Sequence, residues 1–170
     1  MEMELRGAEG ELIEKRIVEE DNSFQINSQR SGDNVLLQLF DQDGNLKDTR
    51  EIHNTVTTAG KEGIMDQMLA SPSLPKIGWA EVGTGTGGTT TLNAYISGSR
   101  TAFTTKTRSG AVVTTTTTFG AGVGTGTITE AGLFDVVTQN TANMWCYSSF
   151  TAITKAAGDS LLLTWTITGA

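Results

Sequence analysis

Residues 161–168 read LLLTWTIT, and from Leu163 the alternation is strict: Leu163, Trp165 and Ile167 share one side of an extended chain, Thr164, Thr166 and Thr168 the other. Such a segment is a strand with one face on a core and one face coated in hydroxyls. Working back from it, the chain offers further strands at Met144 to Phe150, Gly126 to Phe134 and Thr114 to Phe119, the last of which carries five consecutive threonines, Thr114 to Thr118. Threonine's branched Cβ suits an extended backbone, and its hydroxyl tolerates either water or a neighbouring chain. No catalytic set accompanies these strands, which points to a protein that works through surface area.

Further upstream, Val35 to Phe40 and Asn45 to His53 flank Asp41-Gln42-Asp43-Gly44, and the Asp-Gly pair supplies the turn of a β-hairpin. The two aspartates do not make a calcium loop of the EF-hand kind, because Leu39 and Arg50 stand where two of the oxygen ligands would have to be. After Asn54 the period changes. Thr57 or Thr58 can cap a helix over residues 59–70, with Ile64, Met65, Met68 and Leu69 on one side packed against the sheet, and Ser71-Pro72 stopping it. A strand from Lys76 to Gly83 then runs into Gly83-Thr84-Gly85-Thr86-Gly87-Gly88. This string spells GxGxxG, but Thr89-Thr90-Thr91 is a poor helix opening and no acidic residue follows about twenty positions on, so it reads as a loop and not a dinucleotide site. Gly120 to Gly126 makes a second glycine-rich connection.

Composition narrows the function. The 170 residues and 37% hydrophobic content allow one ordinary domain with an appendage, while charged residues are only 18%, below the roughly 25% usual for soluble domains. The formal charge of -7 is uneven: residues 1–22 hold eight acids against three bases, and the rest of the chain eleven against nine. An acidic chain without a basic cluster is a poor nucleic-acid ligand, because phosphate neutralisation supplies most of that affinity. No signal peptide or apolar run of spanning length is visible, so a cytoplasmic site of synthesis and no membrane contact are expected. Residues 1–34 differ from the remainder in being charged and broken by Gly7, Gly10 and Gly32. Leu12, Ile13 and Ile17 form a short apolar stripe there, and the segment reads either as an arm that orders against a partner or as a disordered acidic leader.

Little in the sequence nominates chemistry. Cys146, the single cysteine, lies between Trp145 and Tyr147 in a strand and reads as a packed thiol. His53, the single histidine, has no serine or cysteine partner at a meaningful spacing. Glu81, Glu130 and Asp135 sit at strand positions and could in principle pair for glycoside hydrolysis. Glu130, embedded in Ile128 to Phe134, is the most informative, and the simpler expectation is hydrogen bonding to backbone amides near Gly132 or an ion pair with Arg100 or Arg108. The expectation is therefore a non-enzymatic protein with no cofactor and no metal.

The order of the segments HNTVTTAG (residues 53–60), WAEVGTGTGGTT (79–90), ITEAGLFD (128–135) and AITKAAGDSLLLTWTIT (152–168) resembles that in a family of small tailed-bacteriophage virion proteins, over roughly residues 52–168. The resemblance implies a structural role in a virion: a capsid decoration (cement) protein that clamps neighbouring major capsid protein subunits, or alternatively a tail-associated fibre base or adaptor. It also implies a homo-oligomer, with a trimer matching the three-fold sites of capsid lattices. The residues expected to meet a partner are Leu12, Ile13 and Ile17 on the arm and Thr84 and Thr86 on the glycine loop.

From the residues themselves we expect a mainly β body over 35–170, an antiparallel β-sandwich or barrel, jelly-roll-like, with one short helix and the extended arm 1–34 before it. The expected core is Leu37, Leu39, Ile64, Met68, Trp79, Val82, Val113, Phe119, Leu133, Trp145, Leu163 and Trp165. Deletion of residues 1–34 is expected to weaken association with heads or tails by several kcal/mol and to leave the β-body folded. Unchanged affinity of the truncated protein would remove the arm from the docking mode.

Overall fold

In a computed structural model the described residues are 34–141 and 143–169. They form, in chain order, β1 (Asn34–Phe40), β2 (Leu46–His53), β3 (Thr55–Val56), α1 (Thr58–Asp66), β4 (Trp79–Gly83), β5 (Thr101–Ala102), β6 (Thr105–Ser109), β7 (Val112–Phe119), β8 (Gly126–Phe134), β9 (Met144–Lys155) and β10 (Ser160–Thr168). The strands make two antiparallel five-stranded sheets, ordered β2-β1-β10-β7-β6 and β3-β9-β8-β4-β5. Each sheet keeps two edge strands, so of the two expected architectures the molecule is the sandwich and not the closed barrel.

The alternation of β10 is realised as anticipated. Trp165 lies opposite Val35 on one side and Thr115 on the other, and Leu163 lies opposite Leu37 and Thr117. These residues point inward, together with Leu39, Leu161 and Phe119. The threonine run of β7 is thereby split: Thr115 and Thr117 are each only 1% exposed and lie on the inner face. The other three, Thr114, Thr116 and Thr118, stand outside opposite Thr166, Thr164 and Leu162. The facing sheet contributes Ala80, Val82, Ile128, Ala131, Leu133, Trp145, Cys146 and Ile153 to the same core. At about 25 cal/mol per Å² of apolar surface removed from water, this interleaving of two inner faces is the main stabilising term.

Several expectations need correction. The helix is shorter than residues 59–70, because it ends at Asp66. The Asp66 carboxylate accepts from the amides of Ser73 and Leu74 (2.9 and 2.8 Å) and the Ser73 hydroxyl (2.9 Å), drawing the chain into a loop where a further helical turn would have run. Nor do the methionines pack on the sheet: Met68, beyond the end of α1, is 76% exposed and is not a core residue, and Met65 is also exposed. The buried face of α1 is made by Gly60 and Gly63. A Cβ at Gly60 would stand 2.1 Å from the carbonyl oxygen of Trp145, and one at Gly63 would stand 2.2 Å from the Trp145 ring. The helix thus approaches the sheet at glycine distance, leaving no room for longer side chains between them. Ile64, Val113 and Trp79 are half-buried and not core-centred, Trp79 packing instead on a smaller cluster of Leu92, Phe134 and Met144. The strand expected from Lys76 begins at Trp79, and Asn34, assigned to the arm, is the first residue of β1. Strands β3, β5 and β6 were not anticipated.

Thr57 is the cap: its hydroxyl accepts from the Gly60 amide at 3.0 Å and donates to the Met144 carbonyl, and its own amide donates to the Trp145 carbonyl at 2.9 Å. One residue therefore both starts α1 and continues the β3–β9 ladder. At the β1–β2 turn, Asp41 accepts from the amides of Asp43 (2.9 Å) and Asn45 (2.8 Å), and Gly44 has φ of 84°. At the β9–β10 turn, Asp159 accepts from Lys47 Nζ (2.7 Å) and the Ala156 amide (2.9 Å).

Two predictions follow from these joints. Gly60→Ala is expected to destabilise the protein by about 2–3 kcal/mol through overpacking against backbone. Gly120→Ala, where a Cβ meets nothing within 4 Å, is expected to be neutral or slightly stabilising. Urea unfolding of both variants checks the contrast, and equal losses would refute it. The second concerns acid. Asp41, Asp66 and Asp159 are all held below the ordinary aspartate value of 3.8, by hydrogen bonds from Asn45, Leu74 and Lys47 respectively. Each contribution is complete above that value and is lost as pH falls through the lowered folded values, because the unfolded chain binds the protons first. Thermal unfolding followed from pH 6 downward should therefore show stability falling below about pH 4, and the fall should be smaller in Asp66→Asn.

Candidate functional site

The glycine–threonine segment after β4 forms an eleven-residue loop (84–94) without regular structure, closed at its neck by Thr84 N–H to Ala94 O (2.8 Å) and Ile96 N–H to Val82 O (3.0 Å). It is held by Glu130 of β8, which is fully buried. Oε1 of Glu130 accepts from the amides of Gly85 (3.2 Å) and Ala94 (2.8 Å); Oε2 accepts from the amide of Asn93 (3.2 Å) and the Tyr147 hydroxyl (3.2 Å). The four acceptor positions of the carboxylate are filled by uncharged donors. The Tyr147 hydroxyl accepts in turn from the Gly87 amide (2.5 Å), and Thr129 Oγ1 donates to the Gly85 carbonyl (2.7 Å). The same approach explains two of the glycines: a Cβ on Gly83 or Gly85 would lie 2.7 or 2.8 Å from Glu130 Oε1.

A second buried cluster stands beside it. Arg100 Nη2 contacts Glu81 Oε2 at 2.7 Å with both side chains at most 2% exposed, its guanidinium lies 3.5 Å from the Phe134 ring centroid, and Nη1 donates to Val136 O at 2.6 Å. Gln139 donates to Glu81 Oε1 and to Ile96 O (3.0 Å) and accepts from the Gly98 amide (2.7 Å). The ion pair and the amide together lock β4 to the 96–100 and 136–139 connections. Asp135 accepts from Trp145 Nε1 at 3.2 Å. Lys155 is buried and donates to Gly120 O (2.9 Å); desolvation pushes its ammonium below the ordinary lysine range, against the opposing field of Asp159.

Above the Glu130 anchor the loop encloses an open cleft of about 290 Å³ lined by Gly87 to Thr89, Thr91 to Tyr95 and Asn140. Thr84 and Thr86, expected to meet a partner, are both exposed on this loop. Leu12, Ile13 and Ile17 lie outside the described residues. The three carboxylates considered for hydrolysis are separated in role: Glu130 takes the expected backbone-amide role, but with the 84–94 loop and not a bend near Gly132 as donor. Arg100 pairs with Glu81, and Arg108 donates to Gly110 O (2.6 Å). His53 is exposed, and its carbonyl accepts from Ser148 Oγ (3.0 Å). Sequence inspection found Glu130 through its apolar setting; Tyr147, Asn93 and Gln139 carried no comparable signal, because their partners are distant in the chain.

No protein-family model matches the sequence, and no curated protein or solved structure matches the chain. Among the described residues no three histidine, cysteine or acidic side chains are grouped as metal ligands, and no helix is long and apolar enough to cross a membrane.

Glu130→Gln places an NH₂ group among donors, so at least one buried amide loses its acceptor. We expect a loss of about 2–3 kcal/mol in unfolding free energy and faster hydrogen exchange at Gly85, Asn93 and Ala94. Retention of wild-type exchange at these amides would show that the carboxylate does not hold the loop.

Proposed function

We propose that the protein is a non-enzymatic structural component of a tailed-phage virion, and specifically a decoration protein that clamps neighbouring major capsid protein subunits. The observation that carries the reading is that the segments bearing the resemblance are bonded to one another. Asn54 of HNTVTTAG donates to Thr166 O of the TWT strand (2.9 Å), while Glu130 of ITEAGLFD anchors Gly85 of the GTGT loop. Residues that interlock in this way specify an architecture, and a shared order of such joints supports a shared fold and building-block role more than a shared reaction. The buried carboxylates Glu81, Glu130 and Asp135 are each engaged in such joints, which supports the non-enzymatic part.

A docking area is supported by the end of α1 and the loop after it, where Met65, Met68, Leu69 and Leu74 are all exposed, Met68 by 76% and Leu69 by 60%. Apolar side chains grouped on a surface favour burial against a partner. A homotrimer would repeat this area around a three-fold site, so that several weak contacts act together.

The test is co-sedimentation with decoration-stripped heads and, separately, with tails. Saturable binding to heads at a fixed ratio per capsomer is expected, and Met68→Glu with Leu69→Glu should lower head affinity at least about tenfold without lowering the melting temperature. Binding to tails alone would replace the decoration role with a tail-associated one, and binding to neither would end the virion reading.

A further inference from the structure

The cleft above Glu130 combines three features. Its side-chain lining is wholly uncharged, comprising the amides of Asn93 and Asn140, the hydroxyls of Thr89 and Thr91, the ring of Tyr95 and the apolar Leu92. Among the described residues the side chains of Thr89, Thr91, Asn93, Tyr95 and Asn140 make no hydrogen bond, so the cleft is lined by amide and hydroxyl groups that can both donate and accept. The walls are also fixed from below. The backbone amides of Asn93 and Ala94 are bonded to the buried carboxylate, the Gly87 amide is bonded to Tyr147, and Tyr95 bridges to Gly83. Asn140 reaches the cleft from the opposite connection in a left-handed conformation, φ 55°, which asparagine tolerates better than most residues.

We propose that this cleft is a binding site for a neutral saccharide, one or two rings in size. A sugar ring presents hydroxyls that donate and accept along its edge and a C–H face that is weakly apolar. The Asn and Thr groups match the edge, and Tyr95, 38% exposed, offers an aromatic surface for the face. The volume of about 290 Å³ is near the lower limit for small-ligand clefts, which suits a ligand of one or two rings. The absence of a cation from the lining, on a chain of formal charge -7, disfavours phosphates and acidic sugars; the absence of a carboxylate from it disfavours cations. Individual contacts to a sugar are weak because each replaces a bond to water, so a useful site must be rigid before the ligand arrives. Anchorage by Glu130 supplies that rigidity. The inference does not rest on the virion reading and would hold for a head or a tail component.

The test is a titration of the full chain, followed by amide chemical shifts, with D-glucose, D-galactose, methyl α-D-mannoside and N-acetyl-D-glucosamine, and with N-acetylneuraminic acid as an anionic probe. Saturable shifts confined to residues 87–95 and the neighbourhood of Asn140, with at least one neutral sugar, are expected. Tyr95→Ala should weaken that binding about tenfold or more at an unchanged melting temperature, and Asn140→Gly, which keeps the backbone conformation, should weaken it as well. Absence of saturable shifts with all four neutral sugars, shifts located elsewhere, or tighter binding of N-acetylneuraminic acid would each overturn the proposal.

Discussion

The sandwich depends on β10. In the sheet β2-β1-β10-β7-β6 the hairpins β1–β2 and β6–β7 have no contact within the sheet except through this strand, which exchanges ladders with β1 on one side and β7 on the other. It also carries Leu161, Leu163 and Trp165 into the centre of the core. Closing this sheet requires Val35 and Trp165 to meet, and the loop-closure entropy of such a distant pairing must be overcome before the ladder and the core offset it. The β8–β9 hairpin of the facing sheet is, by contrast, local in the chain.

The buried Glu81, Glu130 and Asp135, with Arg100, belong to the second sheet and its connections, and they fix those connections. Glu130 fixes the loop after β4, Glu81 and Arg100 fix the connections on either side of it, and Asp135 holds the indole of Trp145, whose ring and carbonyl in turn receive α1. A buried charge is costly unless it is paired or hydrogen-bonded. Glu130 meets that need with three loop amides and the Tyr147 hydroxyl, so the loop and the carboxylate require one another: without the loop the carboxylate loses three of its four donors, and without the carboxylate those loop amides lose their acceptor. The result is a long irregular segment held to the sheet by buried bonds, which is the physical basis for treating its cleft as preformed.

Much of the fold was legible because strands with one buried face write a period of two into the sequence. The alternation of β10, the Asp-Gly turn and the glycine-rich connection before β8 all have local causes, and the structure contains them. The candidate site was legible only in part. Glu130 stood out as an acid in an apolar strand, and the glycine loop stood out by composition, but nothing local joined them. The helix was misread for a related reason: its apolar stripe of Ile64, Met65, Met68 and Leu69 was more conspicuous than Gly60 and Gly63, although close approach to Trp145 selects the glycine face.

By itself, then, the sequence determined that the chain is a β-protein with a hydroxyl-rich exterior, one capped helix and an acidic segment before the body, because each of these follows from residues within a few positions of one another. Tertiary structure alone decided which of five identical threonines enter the core, which glycines meet Trp145 and Glu130, and which acid takes Arg100. Those choices are set by what lies across the sheet or across the sandwich, and a contact between residues far apart in the chain leaves no periodic mark on either of them.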